Sequence, residues 1–190
     1  MASTVGHALC GVSCLLAVIA ASPGRPIPFT FRSVALFVVL ANLPDIDFLA
    51  GYLWASDPHL FHQRATHTLA FAGLAGFLAG IVWRGPFGLW TAAGAFSFTI
   101  LSHDLVDMLS GPAPGFNRSP GLALLWPFDE GMVSAPLTIF AGIRHSTIEE
   151  LIGLHNVMAM AHECAVFLPI IALLYVWRAK NPRIRANGAG

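Results

Sequence analysis

Five apolar runs, set apart by short stretches of Pro, Gly and polar residues, limit what this chain can fold into more than any other feature. They lie near residues 5–22, 28–44, 67–83, 87–109 and 155–177. A helix needs about 20 mostly apolar residues to cross the roughly 30 Å hydrocarbon core of a bilayer. The second run, Phe31 to Leu43, is short of that and must borrow Ile27 to Thr30 or continue past Pro44. Soluble domains are about 25% charged and about 45–50% apolar, whereas this chain is 11% charged and 56% apolar. The expected fold is all-α, an integral membrane bundle of about five transmembrane helices. It forms a single domain over 1–190, with a Gly/Pro/Asn-rich loop at 110–145.

Val5 to Ala21 has the apolarity of a signal peptide, and Ala20, Ala21 and Ser22 are small enough for cleavage. Met1 to Gly6 lacks the Lys or Arg of a signal's charged start, so a retained helix is expected. Thr66 is expected to cap the third run, and Ser146-Thr147-Ile148-Glu149 reads as a capping box that opens the last helix. Pro169 is expected to kink the last span without ending it. Cys10, Cys14 and Cys164 all sit in apolar runs and read as small packing residues, not a disulfide framework.

The chemistry is concentrated between the second and third runs, from Leu43 to Leu69. Asp45 and Asp47 follow Pro44; Asp57, His59, His62, Arg64 and His67 come next. Asp and His are the ligands of a hard or borderline ion, such as Zn²⁺ or Mn²⁺. Asp57, just before Pro58, reads as a turn residue. In an extended segment after the proline, Asp45 and Asp47 would face the same way; on a helix they would diverge by about 200°, and only one could serve. His103 and Asp107 lie four apart on one face of the fourth run, which suits two ligands of one ion or a ligand and its orienting carboxylate. Asp104 points elsewhere and is expected to be solvated.

If the five spans alternate in direction, the polar groups converge. His7 starts span one, Asp45 and Asp47 end span two, His62 and His67 start span three, and His103 and Asp107 end span four. Glu163 falls in the first half of span five, on the same side. Chance placement would give this about one time in sixteen under the alternating-span rule. The opposite side carries Arg25, Arg32, Arg84, Arg178, Lys180, Arg183 and Arg185; the polar side carries Arg64, Arg118 and Arg144. The positive-inside rule then puts the C-terminus in the cytoplasm and the polar site outside.

Within this set, a buried carboxylate such as Glu163 needs a metal, a His or a shifted pKa, so it is a candidate functional group. His155 and His162 share its helical stripe and are weaker candidates, and His7 is as well a hydrogen-bonded core histidine as a ligand. His59 and His145 read as exposed loop residues. Arg64, inside the histidine cluster, suits an anionic substrate because Arg forks bind phosphate or carboxylate oxygens.

His7, Leu43-Pro44-Asp45-Ile46-Asp47, His62-x-x-x-Thr66-His67, Ser102-His103-x-x-x-Asp107, Trp126-Pro127-Phe128 and Glu163 come in the order of a bacterial family. Across nearly its whole length the chain resembles the inner-membrane metal-dependent hydrolases, also described as LexA-binding inner-membrane-associated hydrolases. The resemblance implies an all-helical protein of the inner membrane with a metal site built from these His and Asp residues. One motif departs: relatives tend to read His-Arg-Gly-x-Thr-His-Ser where this chain has His62-Gln63-Arg64-Ala65-Thr66-His67-Thr68. The spacing of the His and Asp residues is also similar to that of zinc-dependent phospholipases C.

Two functions are consistent with these residues. The first is a metal-dependent hydrolase acting on a phosphoester of a lipid or lipid-linked molecule. His7, Asp45, His62, His67, His103 and Asp107 would be its ligands for zinc or manganese, Asp47 or Glu163 its proton acceptor, and Arg64 its anion contact. The second is a non-catalytic protein that binds or conducts a metal ion or protons, since intramembrane Asp, Glu and His mark such paths. A path needs polar groups at both ends of the spans, and the cytoplasmic halves here are almost purely apolar, which favours the enzyme. The bilayer is the expected partner, and the zero net charge gives no support to nucleic-acid binding.

Overall fold

The structure is a computed structural model and describes residues 1–22, 27–55, 62–83 and 88–181. Asp57, His59, Arg25, Arg84, Arg183 and Arg185 lie outside those residues. Helices dominate: α1 (Thr4–Ala21), α2 (Phe31–Ala41), α3 (Ile46–Ala55), α4 (Leu69–Val82), α5 (Leu89–Met108), the single turn α6 (Ile148–Leu151) and α7 (Leu154–Lys180). Two strands of two residues each, β1 (Ser110–Gly111) and β2 (Phe140–Ala141), pair in parallel. They close the base of the long loop, so the chain is mostly helical and not purely so.

Short hydroxyl residues cap α1, α2, α4 and α6, where the first four N–H groups lack intrahelical partners. Ser3 caps α1 through the Gly6 amide, and Thr30 caps α2 through Ser33. Thr68, not Thr66, caps α4, accepting from the Phe71 amide at 3.0 Å. Thr66 is engaged elsewhere, as described below. The box expected to open the last helix instead opens the single turn α6, one residue later than expected, and α7 starts after Gly153 with no side-chain cap. Thr147 caps α6 through the Glu150 amide, and Glu150 Oε2 accepts from Ser146 N at 3.2 Å. The exposed Glu149 carboxyl is held below its usual range by its own backbone amide and the Thr147 hydroxyl.

The second apolar run does continue past Pro44. α2 stops at Asn42, and the chain resumes as α3 at an angle of 56°. Asp45 lies in the break and Asp47 in the first turn of α3. Phe37 of α2 and Phe96 of α5 meet edge-on at 5.7 Å in a core that also takes Leu15 and Ile19 from α1 and Ile100 from α5. α4 and α5 run antiparallel in close contact. A Cβ added at Gly80 would lie 2.9 Å from the Ala93 amide nitrogen, and one at Gly76 would collide with Ser97. Small residues at this spacing let helices approach where the surrounding lipid offers no hydrophobic drive.

By length and apolar character, two stretches can cross a membrane, Thr4–Ala21 and Ile148–Lys180. The bent α2–α3 pair makes a third if counted as one span. α4 is apolar but has 14 residues, about 21 Å at about 1.5 Å each. α5 has 20 residues, but Ser102, His103, Asp104 and Asp107 interrupt its last two turns. Among the described residues, two or three candidate spans therefore stand beside the α4–α5 hairpin, and the five separate spans expected from the runs are not shown. α7 runs through Pro169 and presents Met158, Leu168 and Leu173 outward, an apolar face suited to lipid.

Candidate metal centre

The expected convergence is present. α1, the α2–α3 break, the turn before α4 and the end of α5 bring His7, Asp45, His67, His103 and Asp107 together. His7, His67, His103 and Asp107 are buried; the Asp45 side chain is 16% exposed.

The hydrogen bonds behind the two central histidines fix which nitrogen of each faces inward. His103 Nδ1 lies 2.8 Å from the Ala41 carbonyl. A carbonyl only accepts, so Nδ1 carries a proton and Nε2 is the nitrogen that faces inward. His67 Nδ1 lies 3.3 Å from Asp47 Oδ2, which sets the same tautomer. The two Nε2 atoms then face each other at 3.2 Å. Two lone pairs at that distance need something positive between them, either a proton on one ring or a bound cation.

Carboxylates complete the arrangement. Asp45 Oδ1 is 3.4 Å from His103 Nε2 and 3.8 Å from His67 Nε2; Asp107 Oδ2 is 3.7 Å and 3.9 Å from the same atoms. Both oxygens are buried without a hydrogen-bond partner. Ligands held about 2.0–2.2 Å from a tetrahedral ion are separated by about 3.3–3.6 Å. The observed separations, 3.2–3.9 Å, match that shell within a few tenths of an ångström. The donor set of two imidazoles and two carboxylates suits zinc or manganese.

His7 stands at the edge of this set. Its ring stacks on His103 at 3.7 Å, and its Nε2 lies 3.2 Å from Asp107 Oδ1, the oxygen that also accepts from the Ala2 amide at 2.7 Å. Asp107 is thus held by one oxygen and offers the other. Three overlapping groups, His7–His103–Asp107, Asp45–His67–His103 and Asp47–His62–His67, each bring their ligand atoms within 4.8 Å of one another.

Asp45 and Asp47 do diverge, yet both serve the centre, because they approach opposite edges of the His67 ring. Asp47 is occupied by donors. Its Oδ1 meets His62 Nδ1 at 3.2 Å; its Oδ2 accepts from the Gln63 amide at 3.2 Å and from the Thr66 hydroxyl at 2.9 Å. The sequence reading made Asp47 a proton acceptor. Its place behind His67 is that of an orienting carboxylate in a carboxylate–histidine–metal arrangement. His62, expected as a ligand, lies on the far side of Asp47, with its Nε2 buried and unpartnered.

Glu163 is fully buried, but in none of the three groups. It accepts from the Ser3 amide at 2.8 Å and from the Ser3 hydroxyl in a very short bond. A Cβ at Gly6 would lie 2.6 Å from its carboxyl carbon, so only glycine lets α1 pass so close. Arg64 is exposed and lines a separate cleft of about 390 Å³ with His62, Trp126 and Glu130. Asp104, expected to be solvated, is 2% exposed, and neither of its oxygens has a hydrogen-bond partner. Its neighbourhood on α5 explains the burial, but nothing in the sequence pattern marked it.

A larger cleft, about 460 Å³, has Asp45 in its wall together with Val5, Phe48, Ile143, His145, Leu151 and Met160. Sequence reasoning missed its far wall. Asn156 of α7 binds both backbone atoms of Arg144, accepting from N at 2.8 Å and donating to O at 2.6 Å, and this holds residues 143–145 against the cleft. An Asn on the helix stripe that also carries His155, His162 and Glu163 was the available signal. His155, on the same stripe, binds the Gly142 carbonyl at 2.9 Å.

A helical protein whose apolar surface suits a bilayer and whose buried His and Asp residues could hold a metal ion is an integral membrane protein with a candidate metal centre. The chain belongs to the YdjM inner membrane protein family, whose model matches residues 1–183, within the LexA-binding inner-membrane-associated hydrolases. No curated protein and no solved structure matches it. The family resemblance drawn from the motifs is borne out, and it places the protein in the inner membrane.

Proposed function

We propose that the protein is a membrane-embedded, metal-dependent hydrolase that cleaves a phosphoester of a lipid or lipid-linked substrate at the outer face of the inner membrane. One observation carries the reading. The Nε2 atoms of His67 and His103 lie 3.2 Å apart, and each lies 3.4–3.9 Å from a buried carboxylate oxygen of Asp45 and of Asp107. Asp45, His67, His103 and Asp107 would hold the ion, with zinc the best fit and manganese possible, and His7 would complete or steady the set. A bound divalent ion polarises a phosphoryl oxygen and makes water a usable nucleophile near neutral pH.

The chain's own residues do the rest. Asp47 orients His67, and the Ala41 carbonyl orients His103. Glu163 fixes the start of α1, and with it His7 one turn further on and the Ala2 amide on Asp107. The cleft beside Asp45 is mainly apolar, which suits a substrate with an acyl or prenyl part. The family's inner-membrane location makes such substrates abundant. Arg64 would meet an anionic group approaching the His62 side. In this reading α4 and α5 cross as a short hairpin, so that the chain makes five crossings with its C-terminus in the cytoplasm. The buried ionisable groups named here lie at one end of the helices, which favours a one-sided site over a conduction path.

The test is metal analysis of the purified protein combined with turnover of a phosphodiester panel. At least one zinc or manganese ion per chain is expected, lost together with turnover in Asp107→Ala. Full metal content in that variant would break the ligand assignment.

A further inference from the structure

The wall of the larger cleft opposite the metal centre is built for a purpose the proposed ligands do not explain. His145, half-buried, lines this cleft together with Asp45. Both residues line the one cleft of about 460 Å³, so a group that fills it meets Asp45 and His145 together. The imidazole is not on a loose loop. Arg144, its neighbour, is clamped at both backbone atoms by Asn156. One residue further back, Ile143 donates to the Met1 carbonyl at 3.0 Å. Phe48, one turn beyond Asp45, meets the His145 ring edge-on at 5.8 Å and the His62 ring at 4.0 Å. The aromatic row His145–Phe48–His62–His67–His103 therefore fixes His145 relative to the centre without placing it in the ligand set.

We propose that His145 is a catalytic residue of the phosphoester reaction, the group that hydrogen-bonds the leaving-group oxygen and gives it a proton. This rests on the hydrolase reading above. Water's oxygen bonds to phosphorus, and the bond from phosphorus to the ester oxygen breaks with its electron pair going to that oxygen. The imidazolium N–H of His145 supplies the proton that turns the departing alkoxide into an alcohol. The proton shed by the attacking water restores the imidazolium. An alkoxide leaving group is strongly basic and needs this proton, and a positioned acid of this kind contributes about 10²–10⁴-fold. A nitrophenolate leaves with little help.

The experiment uses the full chain in detergent, loaded with zinc, and two probes: a dialkyl phosphate and a 4-nitrophenyl alkyl phosphate of the same chain length. His145→Ala is expected to lose at least 30-fold more turnover on the dialkyl ester than on the nitrophenyl ester, with zinc content at the wild-type level. It is also expected to weaken binding of dodecyl phosphate, read by calorimetry, by about 10-fold. His145→Gln, which keeps a donor but cannot carry a transferable proton, should restore binding and not the dialkyl turnover. Equal losses on the two esters, or wild-type binding and turnover, would overturn the role of His145 and leave the hydrolase reading standing. A zinc-loaded wild-type chain that neither binds dodecyl phosphate nor cleaves either ester would overturn both.

Discussion

Replacing Asp47 separates its two possible roles. The carboxylate takes His62 on one oxygen and Gln63, Thr66 and His67 on the other. Asparagine keeps the shape but offers one accepting oxygen and an NH₂ that only donates. Its least costly pose turns the oxygen toward Gln63, Thr66 and His67 and sets NH₂ against the single N–H of His62. His67 then stays aimed, and Asp47→Asn should weaken zinc binding by about 10-fold, the low end of the usual 10–100-fold cost of losing an orienting partner. Asp47→Ala leaves His67 Nδ1 without its acceptor and should reach about 100-fold, or about 2.7 kcal/mol. A competition titration against a chromophoric chelator, in detergent, reads both. The argument fails if Asp47→Ala binds zinc like the wild type, because the carboxylate then orients nothing. It fails in the other direction if that variant loses zinc as completely as His67→Ala, which would make Asp47 a ligand. Wild-type affinity with turnover abolished would return it to the proton acceptor of the sequence reading.

Two further outcomes follow from the same geometry. Glu163→Gln retains one acceptor for Ser3, so it should keep its metal and lower the thermal unfolding midpoint, while Glu163→Ala should cost about 1–3 kcal/mol for the orphaned donors; thermal scanning in detergent with metal analysis checks this, and loss of metal without loss of stability would place Glu163 among the ligands. Reporter fusions at Gly24, Asp57, Gly85, Pro120 and Gly190 should give cytoplasmic signals at Gly24, Gly85 and Gly190 only, and a cytoplasmic signal at Asp57 or Pro120 would contradict a site facing outward.

The buried cluster of His and Asp was legible in the sequence because ionisable residues are costly in an apolar chain and stand out there. His103 and Asp107 were readable from helical spacing alone. The roles of the acids were less so. Whether Asp45 and Asp47 cooperate depends on how His67 is presented between them, a contact across the break that no local pattern encodes. The partner of Glu163, Ser3, is 160 residues away, so the contact between them had no local signal. The number of crossings is less legible. Apolar runs show which segments avoid water, but two runs are too short or too interrupted to count as spans by length alone, and the second run is split into α2 and α3 at an angle of 56°.

X-ray absorption at the zinc edge of the zinc-loaded protein tests the central claim most directly. The account predicts a first shell of about four nitrogen and oxygen scatterers near 2.0–2.2 Å, with the outer-shell pattern of two or three imidazoles, and no sulfur. Asp107→Ala should remove one scatterer or the ion itself. Sulfur at about 2.3 Å would contradict the account, moving the ion to the buried Cys10 and Cys14 of α1. A protein that binds no transition metal at all would contradict it outright.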